Sequence, residues 1–507
     1  MRRDASRLLE KTFDLLVVGA GIQGACIAWD ACLRGLSVAL VDRGDFGGAT
    51  SANSLGIVHG GLRYLGRGDL PRMLESIRER SALLRIAPGL VEPLPVLIPT
   101  YRGAGGPAAL RIALLANDLI SLNRNRWLEP DQTIARGRIL SRDECLRLFP
   151  SFHSAGLTGG ALWYDGRLSH PERLTLSFVR SAAERGAVSV NYLRVDDLLV
   201  RDGAARGARV TDLDSGGQFE VGAHCVVVAA GPWTSGLIAG TLGRNDRVAT
   251  GGRALAVNVR VGRVLSSVAI GAKARSGPGQ DPVCGGGRYL FAVPQPTSTL
   301  LGTWYAPAQG GQATPELGGE SLLQEFNAAC PGLDLSVTEI VGRSWGWLPL
   351  KAGLEGGRPN ALAERPRIVN HAERDRIRHL FSVEPVKYTT ARSVAQQVVD
   401  RVFYDLRRGS PPCRTAEVRL EQAGTDGVPG PEAVRRAVQQ DMALTLGDII
   451  FRRTGTGQSG RLDRSTVAEI AQLAGAELGW DSMRQATEIE AVMQDRGASL
   501  RVEEPVG

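Results

Sequence analysis

No apolar run in this sequence comes near the roughly 20 residues that a membrane-spanning helix needs, although 43% of its 507 residues are hydrophobic. A spanning helix is therefore not expected. The first residues, 1–14, carry charges but no apolar stretch, so a secretory signal is not expected either.

Cysteine is scarce: the chain has seven, an odd number, and no two stand at CxxC spacing. A disulfide framework, a zinc site or another metal site is therefore not expected. Unpaired cysteines are typical of a reducing compartment, which favours the cytoplasm.

Long blocks of positive charge are also absent, although 60 Lys and Arg outnumber 53 Asp and Glu and give a formal net charge of +7. Evenly spread charge is typical of a solvated, arginine-rich surface, so nucleic-acid binding is not expected. A local basic patch remains compatible with peripheral contact to an anionic membrane.

What the chain does contain is a βαβ pattern between Phe13 and Asp42. An apolar strand runs into the glycines Gly19, Gly21 and Gly24, a helix and a second strand follow, and that strand ends at Asp42. This order predicts a dinucleotide site, with phosphates at the helix N-terminus and the acid on a ribose diol. A βαβ unit without a nucleotide is the less favoured alternative.

The next stretch is rich in hydroxyl groups, from Thr50 and Ser51 to Ser54, and is followed by His59-Gly60-Gly61-Leu62-Arg63-Tyr64. A lone histidine is ordinarily a buried structural residue. Its place just after a nucleotide fingerprint makes a functional role for His59 an equal alternative.

Together these patterns, G-x-G-x-x-G-x(17)-D, T-S-x-x-S and H-G-G-L-R-Y-L, resemble the FAD-dependent glycerol-3-phosphate dehydrogenases, a group within the flavoproteins similar to D-amino-acid oxidase. The resemblance implies FAD as cofactor. It also implies an α/β fold: a Rossmann-like FAD-binding domain, an inserted β-rich substrate domain and a small helical C-terminal domain.

Further along, the strand at 224–229 leads into Ala230-Gly231-Pro232-Trp233, which resembles the family's second flavin-contacting turn. Lys387-Tyr388-Thr389-Thr390 resembles its K-x-T-T motif, and Val195 is expected near the adenine. The cofactor-binding residues implied are Gly19, Gly21, Gly24, Asp42, Arg43, Thr50, Ser51, Ser54, Val195, Ala230, Gly231, Trp233, Lys387, Tyr388 and Thr389.

The chemistry implied is hydride transfer from a carbon bearing a hydroxyl group to the flavin. His59 is the first choice as base, because imidazole titrates near neutral pH. Lys387 and Arg63 are its catalytic partners, since they can stabilise negative charge. The substrate is expected to contact Arg63, Tyr64, Lys387 and Thr389, and a quinone is a candidate electron acceptor.

The predicted domains are 12–250 with 350–405 for FAD, 251–349 for the substrate, and 410–507 for the helical C-terminus. Within the first, a partly helical insertion is expected at 86–150, after a helix that starts at Leu70 and ends before Pro88. Residues 107–127 read as a helix with a basic end. A core helix is favoured there, and a helix lying on the inner face of the membrane is the alternative.

The sequence departs from the family in the part expected to hold the substrate. The block Ser344–Leu350 has Leu348 where the family has an arginine that helps bind phosphate, and Pro385-Val386 replaces a glycine pair. Arg253, Arg343 and Lys351 could substitute for the missing charge. Glycerol 3-phosphate is therefore expected to be a weak substrate. An oxidase or dehydrogenase for an amine or another 2-hydroxy compound, and a non-catalytic flavin-bound sensor, stay open, as does the oligomeric state.

Overall fold

The computed structural model describes residues 1–65, 68–102, 107–243, 252–274, 283, 288–308, 314–351, 361–424, 427–458 and 462–495. The predicted domain boundary at 250 and 251, Cys284, and the last residues of the predicted C-terminal domain, 496–507, lie outside them.

One sheet is built on the βαβ unit. Its neighbouring strands run in the order β16-β17-β10-β1-β2-β7, and a hairpin of β8 and β9 extends β10. Pairing is parallel from β17 to β7, and the side chains of β1 and β2 are nearly all buried, which explains their unbroken apolar sequences. The strands are β1 Phe13–Val18, β2 Val38–Val41, β7 Val188–Val190, β8 Leu193–Arg201, β9 Ala204–Asp212, β10 Gln218–Val228, β16 Arg367–Asn370 and β17 Leu380–Glu384.

A second sheet runs in the order β15-β11-β14-β13-β12-β4-β6-β3, with β5 beside β6. Its strands are β3 Ile57–Val58, β4 Val91–Tyr101, β5 Arg138–Ser141, β6 Leu157–Leu168, β11 Arg253–Val261, β12 Ala269–Lys273, β13 Tyr289–Pro294, β14 Thr299–Pro307 and β15 Ile340–Pro349.

This second sheet takes strands from two of the predicted domains. Four of its strands, β3 to β6, come from residues 57–168, which the sequence assigned to the FAD-binding domain and its helical insertion. The reason is edge pairing: β12 pairs in parallel with β4 through Ala269↔Val96 and Ile270↔Leu97, so the two β-rich stretches satisfy each other's backbone groups.

The helices are α1 Ile22–Leu33, α2 Leu62–Leu65, α3 Leu70–Ile86, α4 Pro107–Ile120, α5 Arg142–Leu148, α6 Pro171–Glu184, α7 Thr234–Thr241, α8 Pro315–Ala329, α9 His371–Arg374, α10 Ala391–Asp405, α11 Pro431–Gln439, α12 Arg464–Leu478 and α13 Ser482–Asp495. Helix α3 starts at an Asp69 cap and ends before Pro88, as predicted. Helices α1, α6 and α10 pack together against the first sheet.

The helical C-terminal domain predicted from the sequence is present. Helices α11 to α13 and a π-helical turn at Asp448–Arg453 bury a cluster of their own that includes Val434, Leu446, Ile450 and Val467.

Helix α4 differs from its favoured interpretation as a core helix. Leu114 is buried, but Ile112, Leu115 and Leu119 on the same helix are 63–68% exposed. Leu122 and Trp127, just beyond it, are exposed to the same degree. The helix therefore buries one face and presents an apolar stripe on another. In the part of the chain that the structure describes, no helix combines the length and the apolar character needed to cross a bilayer.

Candidate active site

Three loops of the site meet because the strands before them are parallel neighbours. Strand β1 leads into Gly19, β10 into Ala229 and β17 into the segment before Lys387. The carboxyl ends of parallel strands lie at one edge of a sheet, where α/β proteins bind ligands. The fold thus brings together the fingerprint, the Gly-Pro-Trp turn and the K-x-T-T motif, which lie far apart in sequence.

The fingerprint glycines are required by close approaches of the backbone. A Cβ on Gly24 would lie 1.8 Å from the Gly19 carbonyl oxygen, and one on Gly19 would lie 2.7 Å from the carbonyl oxygen of Ala229. Gly19 also has a φ of +98°, which side chains disfavour. The turn is therefore pressed against both α1 and the end of β10, next to Ala230 and Gly231.

The Thr50–Asn53 turn covers the N-terminus of α1. Ser51 Oγ accepts a hydrogen bond from the Ile22 N–H at 3.0 Å, and a Cβ on Gly21 would lie 3.0 Å from the same oxygen. Thr50 Oγ1 and Gln23 Oε1 are buried and have no hydrogen-bond partner within the described residues. Buried polar atoms are ordinarily satisfied, so this region has the donors and acceptors for a polar ligand.

Asp42 lies at the end of β2. Its carboxylate accepts hydrogen bonds from the N–H groups of Ala20 at 2.6 Å and Gly44 at 2.9 Å. Burial raises its pKa to about 6. Beside it, the guanidinium of Arg43 stacks on Trp233 at 4.0 Å, which ties the end of β2 to the Gly-Pro-Trp turn. Trp233 Nε1 is another buried donor that lacks a partner in the described ranges.

Val195 is half-buried on β8 and packs beside the strands of the first sheet. The same strand begins at Leu193, whose N–H donates to the carbonyl oxygen of Asp42 at 2.7 Å. Val195 therefore lies two residues along β8 from this hydrogen bond to Asp42.

A cluster of cations surrounds the hydroxyl group of Tyr64. Lys387 Nζ donates a hydrogen bond to this oxygen, and Arg63 Nη2 donates another at 3.0 Å. The Arg72 guanidinium lies 4.9 Å from the ring centre, and the His59 ring meets it edge-on at 6.0 Å. Residues from two distant motifs thus converge on one phenol.

These contacts alter the acidity of the cluster. Burial lowers the pKa of His59 well below its usual range, and the positive charges of Arg63 and Lys387 reinforce the effect. Burial also lowers the pKa of Lys387, against the hydrogen bond to Tyr64. Burial opposes ionisation of the Tyr64 phenol, but Arg63 and Lys387 outweigh it and lower that pKa. The site consequently combines a neutral imidazole with positive charge, which suits an anionic substrate and a proton acceptor.

Comparison with known proteins identifies the family. Residues 14–384 match the sequence profile of the family described as FAD dependent oxidoreductase (DAO). This chain belongs to that family.

Among curated relatives, the glycerol-3-phosphate dehydrogenase of Synechocystis sp. is 28% identical over 87% of this chain and 77% of its own length. The mitochondrial glycerol-3-phosphate dehydrogenase of Mesocricetus auratus is 29% identical over 87% of this chain, which spans only 60% of that protein. The fold is similar to that of the glycerol-3-phosphate dehydrogenase of Bacillus halodurans complexed with FAD, with a TM-score of 0.70 at 22% identity over 99% of this chain and 97% of that one.

The family and the resemblance agree, so the sequence-based identification of an FAD-dependent oxidoreductase is confirmed. The residues present also fit FAD. The glycine turn leaves no room for side chains, and Thr50 and Trp233 offer buried polar atoms without protein partners in the described segments. Asp42 is bonded to the fingerprint turn through the Ala20 N–H, and Ser51 is bonded to the N-terminus of α1 through the Ile22 N–H.

Two of the residues expected to contact the flavin have hydrogen-bond partners within the protein. The Tyr388 hydroxyl donates to the Pro171 carbonyl oxygen at 2.7 Å and lies 3.0 Å from Thr175 Oγ1, so its side chain is committed to α6 and only its backbone is available to a cofactor. Ser54 Oγ accepts from the Gly56 N–H at 3.2 Å, and Ser54 lines a cleft of about 850 Å³ beside β15. Thr389 is buried just before α10.

The structure also shows the surroundings of Leu348, which stands where the family has an arginine. Leu348 pairs with Ala254 across β15 and β11. A Cβ on Gly346, two residues earlier, would contact Thr50 at 3.0 Å. Side chains two apart on a strand share a face, so Leu348 faces the FAD-binding domain.

Of the three candidate replacements for this arginine, only Arg253 contacts the Gly-Pro-Trp turn in the described residues. Arg343 faces α8, because a Cβ on Gly319 would lie 2.9 Å from its Nε. Arg253 donates to the Pro232 carbonyl oxygen, and Lys351 is exposed.

Sequence reasoning missed two residues of α3 that hold the site's loops. Arg80 Nη1 donates to Asp165 Oδ1 at 3.0 Å, and the same oxygen accepts from the Gly60 N–H at 2.6 Å. Glu79, next to Arg80, pairs with Arg392 at the start of α10. The apolar face of α3 contains Met73, Ile77, Arg80 and Leu84. A charged residue on this face was the sequence signal that could have identified Arg80.

Proposed function

We propose that this oxidoreductase removes hydride from a carbon bearing a hydroxyl group in an anionic substrate. FAD, when bound, accepts the two electrons. The observation that carries the proposal is the convergence of His59, Arg63 and Lys387 on Tyr64. His59 takes the hydroxyl proton, and its lowered pKa keeps it unprotonated and ready to do so. Arg63 binds the substrate's negative charge, for which its planar fork suits two oxygens.

Lys387 and Tyr64 orient the substrate oxygen. The hydrogen bond from Lys387 holds the Tyr64 phenol at the centre of the cation cluster. The positive charge there stabilises the oxyanion that forms on the substrate as its hydroxyl proton leaves. Thr389 completes the substrate contacts in this proposal. Leu348 on the face towards the FAD-binding domain makes glycerol 3-phosphate a poor substrate relative to another anionic hydroxy compound.

The test is a substrate screen with the FAD-loaded protein. A panel of polyol phosphates, hydroxy acids and amines is mixed anaerobically with the enzyme, and bleaching of the flavin absorbance is followed. We expect bleaching by an anionic hydroxy compound at a rate above that with glycerol 3-phosphate. Fastest bleaching by glycerol 3-phosphate contradicts the substrate proposal, fastest bleaching by an amine contradicts the chemistry, and no bleaching by any compound favours the sensor interpretation. Reoxidation by a short-chain quinone rather than by oxygen supports a quinone acceptor.

We also propose that α4 rests on the cytoplasmic face of a membrane. The support is its exposed stripe of Ile112, Leu115 and Leu119, continued by Leu122 and Trp127. Arg126 and Arg85 stack on the Trp127 ring at 4.2 and 5.2 Å, so cations border the apolar surface. An apolar face edged by arginine is typical of a helix that lies in the interface of an anionic bilayer.

Substitution of both Leu115 and Leu119 by glutamate is expected to reduce co-sedimentation with phosphatidylglycerol-containing vesicles at least about tenfold, because burial of apolar area drives this kind of binding. Leu213→Glu, at an exposed apolar site on another surface, is the control and should bind as the unmodified protein does. Equal binding of the double variant would refute the proposed surface. Binding that persists in high salt and ignores anionic lipid would remove the electrostatic part.

A further inference from the structure

The C-terminal helical domain meets the FAD-binding domain through buried charges around Asp45. Arg452 Nε lies 2.6 Å from Oδ2 of this carboxylate, and Arg453 binds both of its oxygens at 2.7 Å. Asn191 Nδ2 adds a hydrogen bond to Oδ1 at 3.0 Å. All of these side chains are buried, so the carboxylate is enclosed by donors from two domains.

The two arginines are themselves fixed. They end the π-helical turn Asp448–Arg453, where Arg452 also pairs with Asp448 and Arg453 Nε donates to the Asp441 carbonyl oxygen at 2.9 Å. Tyr192 Oη donates to Asp448 at 2.7 Å. Removal of one partner from such a buried set leaves an uncompensated charge, which is strongly unfavourable. The contact therefore holds Asp45 in one place.

Asp45 belongs to the same short loop, 42–48, as the ribose-side residues Asp42 and Arg43. The loop is bonded back to the fingerprint turn twice: the Asp42 carboxylate accepts from the Ala20 N–H, and the Gly47 N–H donates to the Ala20 carbonyl oxygen at 2.9 Å. The Gly48 N–H donates to the Asp45 carbonyl oxygen at 3.1 Å. A shift of Asp45 thus moves the residues that line the adenosine half of the FAD site.

We propose that Arg452 and Arg453 are positioning residues through which the C-terminal domain sets the affinity of the adenosine half of the FAD site. They act through Asp45 and the 42–48 loop. The substrate end of the site, with His59 and Lys387, is built from other loops and is not affected. Loss of Arg453 should therefore weaken ligands that contain the adenosine half and leave the riboflavin half alone.

The experiment titrates the full-length apoprotein with FAD, FMN and ADP and follows protein and flavin fluorescence, with ADP measured by competition. For Arg453→Met we expect an FAD Kd raised at least about tenfold, a parallel loss for ADP, and an FMN Kd within about twofold of the unmodified value. Where FMN binds too weakly to titrate, the ADP result decides. Arg435→Met is the matched control, because Arg435 is an exposed arginine of the same domain that pairs with Glu477 at 3.0 Å. It should leave all three Kd values unchanged.

Equal weakening of FAD and FMN, without a preferential loss of ADP, would show that Arg453 supports the whole fold and would overturn the proposal. So would an unchanged FAD Kd in folded Arg453→Met. If that variant does not fold, Arg453→Lys keeps the charge but loses the bidentate contact, and it should raise the FAD Kd by several-fold with the same selectivity. None of these readouts requires turnover, so they are independent of the proposed substrate.

Discussion

Replacement of His59 by asparagine is expected to lower the rate of flavin reduction by about 10²–10⁴-fold, the usual contribution of a positioned general base. FAD should remain bound with unchanged affinity, because the fingerprint glycines and Asp42 belong to other loops. The measurement is anaerobic stopped-flow reduction of the bound flavin by the best substrate of the screen. His224→Asn, at an exposed histidine on β10, is the control and should react at the original rate.

The pH dependence of turnover is a second test of His59 as the base. In the free protein the pKa of His59 is lowered, so the imidazole is already neutral through the neutral range and the acid limb of kcat/KM lies below pH 6.5. A bound anion offsets the charges of Arg63 and Lys387 and raises that pKa, so the acid limb of kcat should lie at higher pH than that of kcat/KM. Coincident limbs, or a limb that survives in His59→Asn, would exclude His59 as the base.

Leu348→Arg is expected to raise kcat/KM for glycerol 3-phosphate by about 30-fold or more. Loss of one partner from a buried charge pair typically costs 2–5 kcal/mol, and each 1.4 kcal/mol is a factor of ten, so restoring the missing partner at the low end of this range gives about 30-fold. The strand register supports the design, since Leu348 shares the face of Gly346, which packs against Thr50. The measurement is dye-linked turnover at saturating FAD.

Two controls test whether this gain in kcat/KM comes from the added charge. Leu348→Met changes the shape of the side chain without adding charge and should leave kcat/KM for glycerol 3-phosphate within about threefold. Unphosphorylated glycerol should gain nothing from Leu348→Arg. A similar gain for glycerol and for glycerol 3-phosphate would mean that Leu348 does not face the substrate's phosphate.

The cofactor half of the protein could be predicted because its signals are local. Gly19, Gly21, Gly24 and Asp42 occur at fixed spacing within one βαβ unit, and the close approach of Gly24 to the Gly19 carbonyl oxygen also lies within it. The FAD-dependent family and the helical C-terminal domain were likewise predicted from motifs and composition, and both are confirmed.

What could not be predicted depends on pairing across long distances. The parallel contact of β4 with β12 has no local signature, so the four strands that residues 57–168 contribute to the second sheet were not predicted. The side chain of Tyr388 turns towards Pro171, although its motif suggested a cofactor contact. The exposure of Leu115 could not be predicted from the sequence either, because the apolar positions of a helix do not show whether another element covers them.

The strand order of the first sheet also fixes when the cofactor can be acquired. Strand β1 leaves the ribosome among the first segments, but its neighbour β10 ends at Val228 and β17 ends at Glu384. Such non-local parallel pairing is slow to form and leaves apolar edges unpaired until the partners arrive. Because Arg453 pairs with Asp45 from still later in the chain, nearly the whole polypeptide must be synthesised before all of these contacts can form.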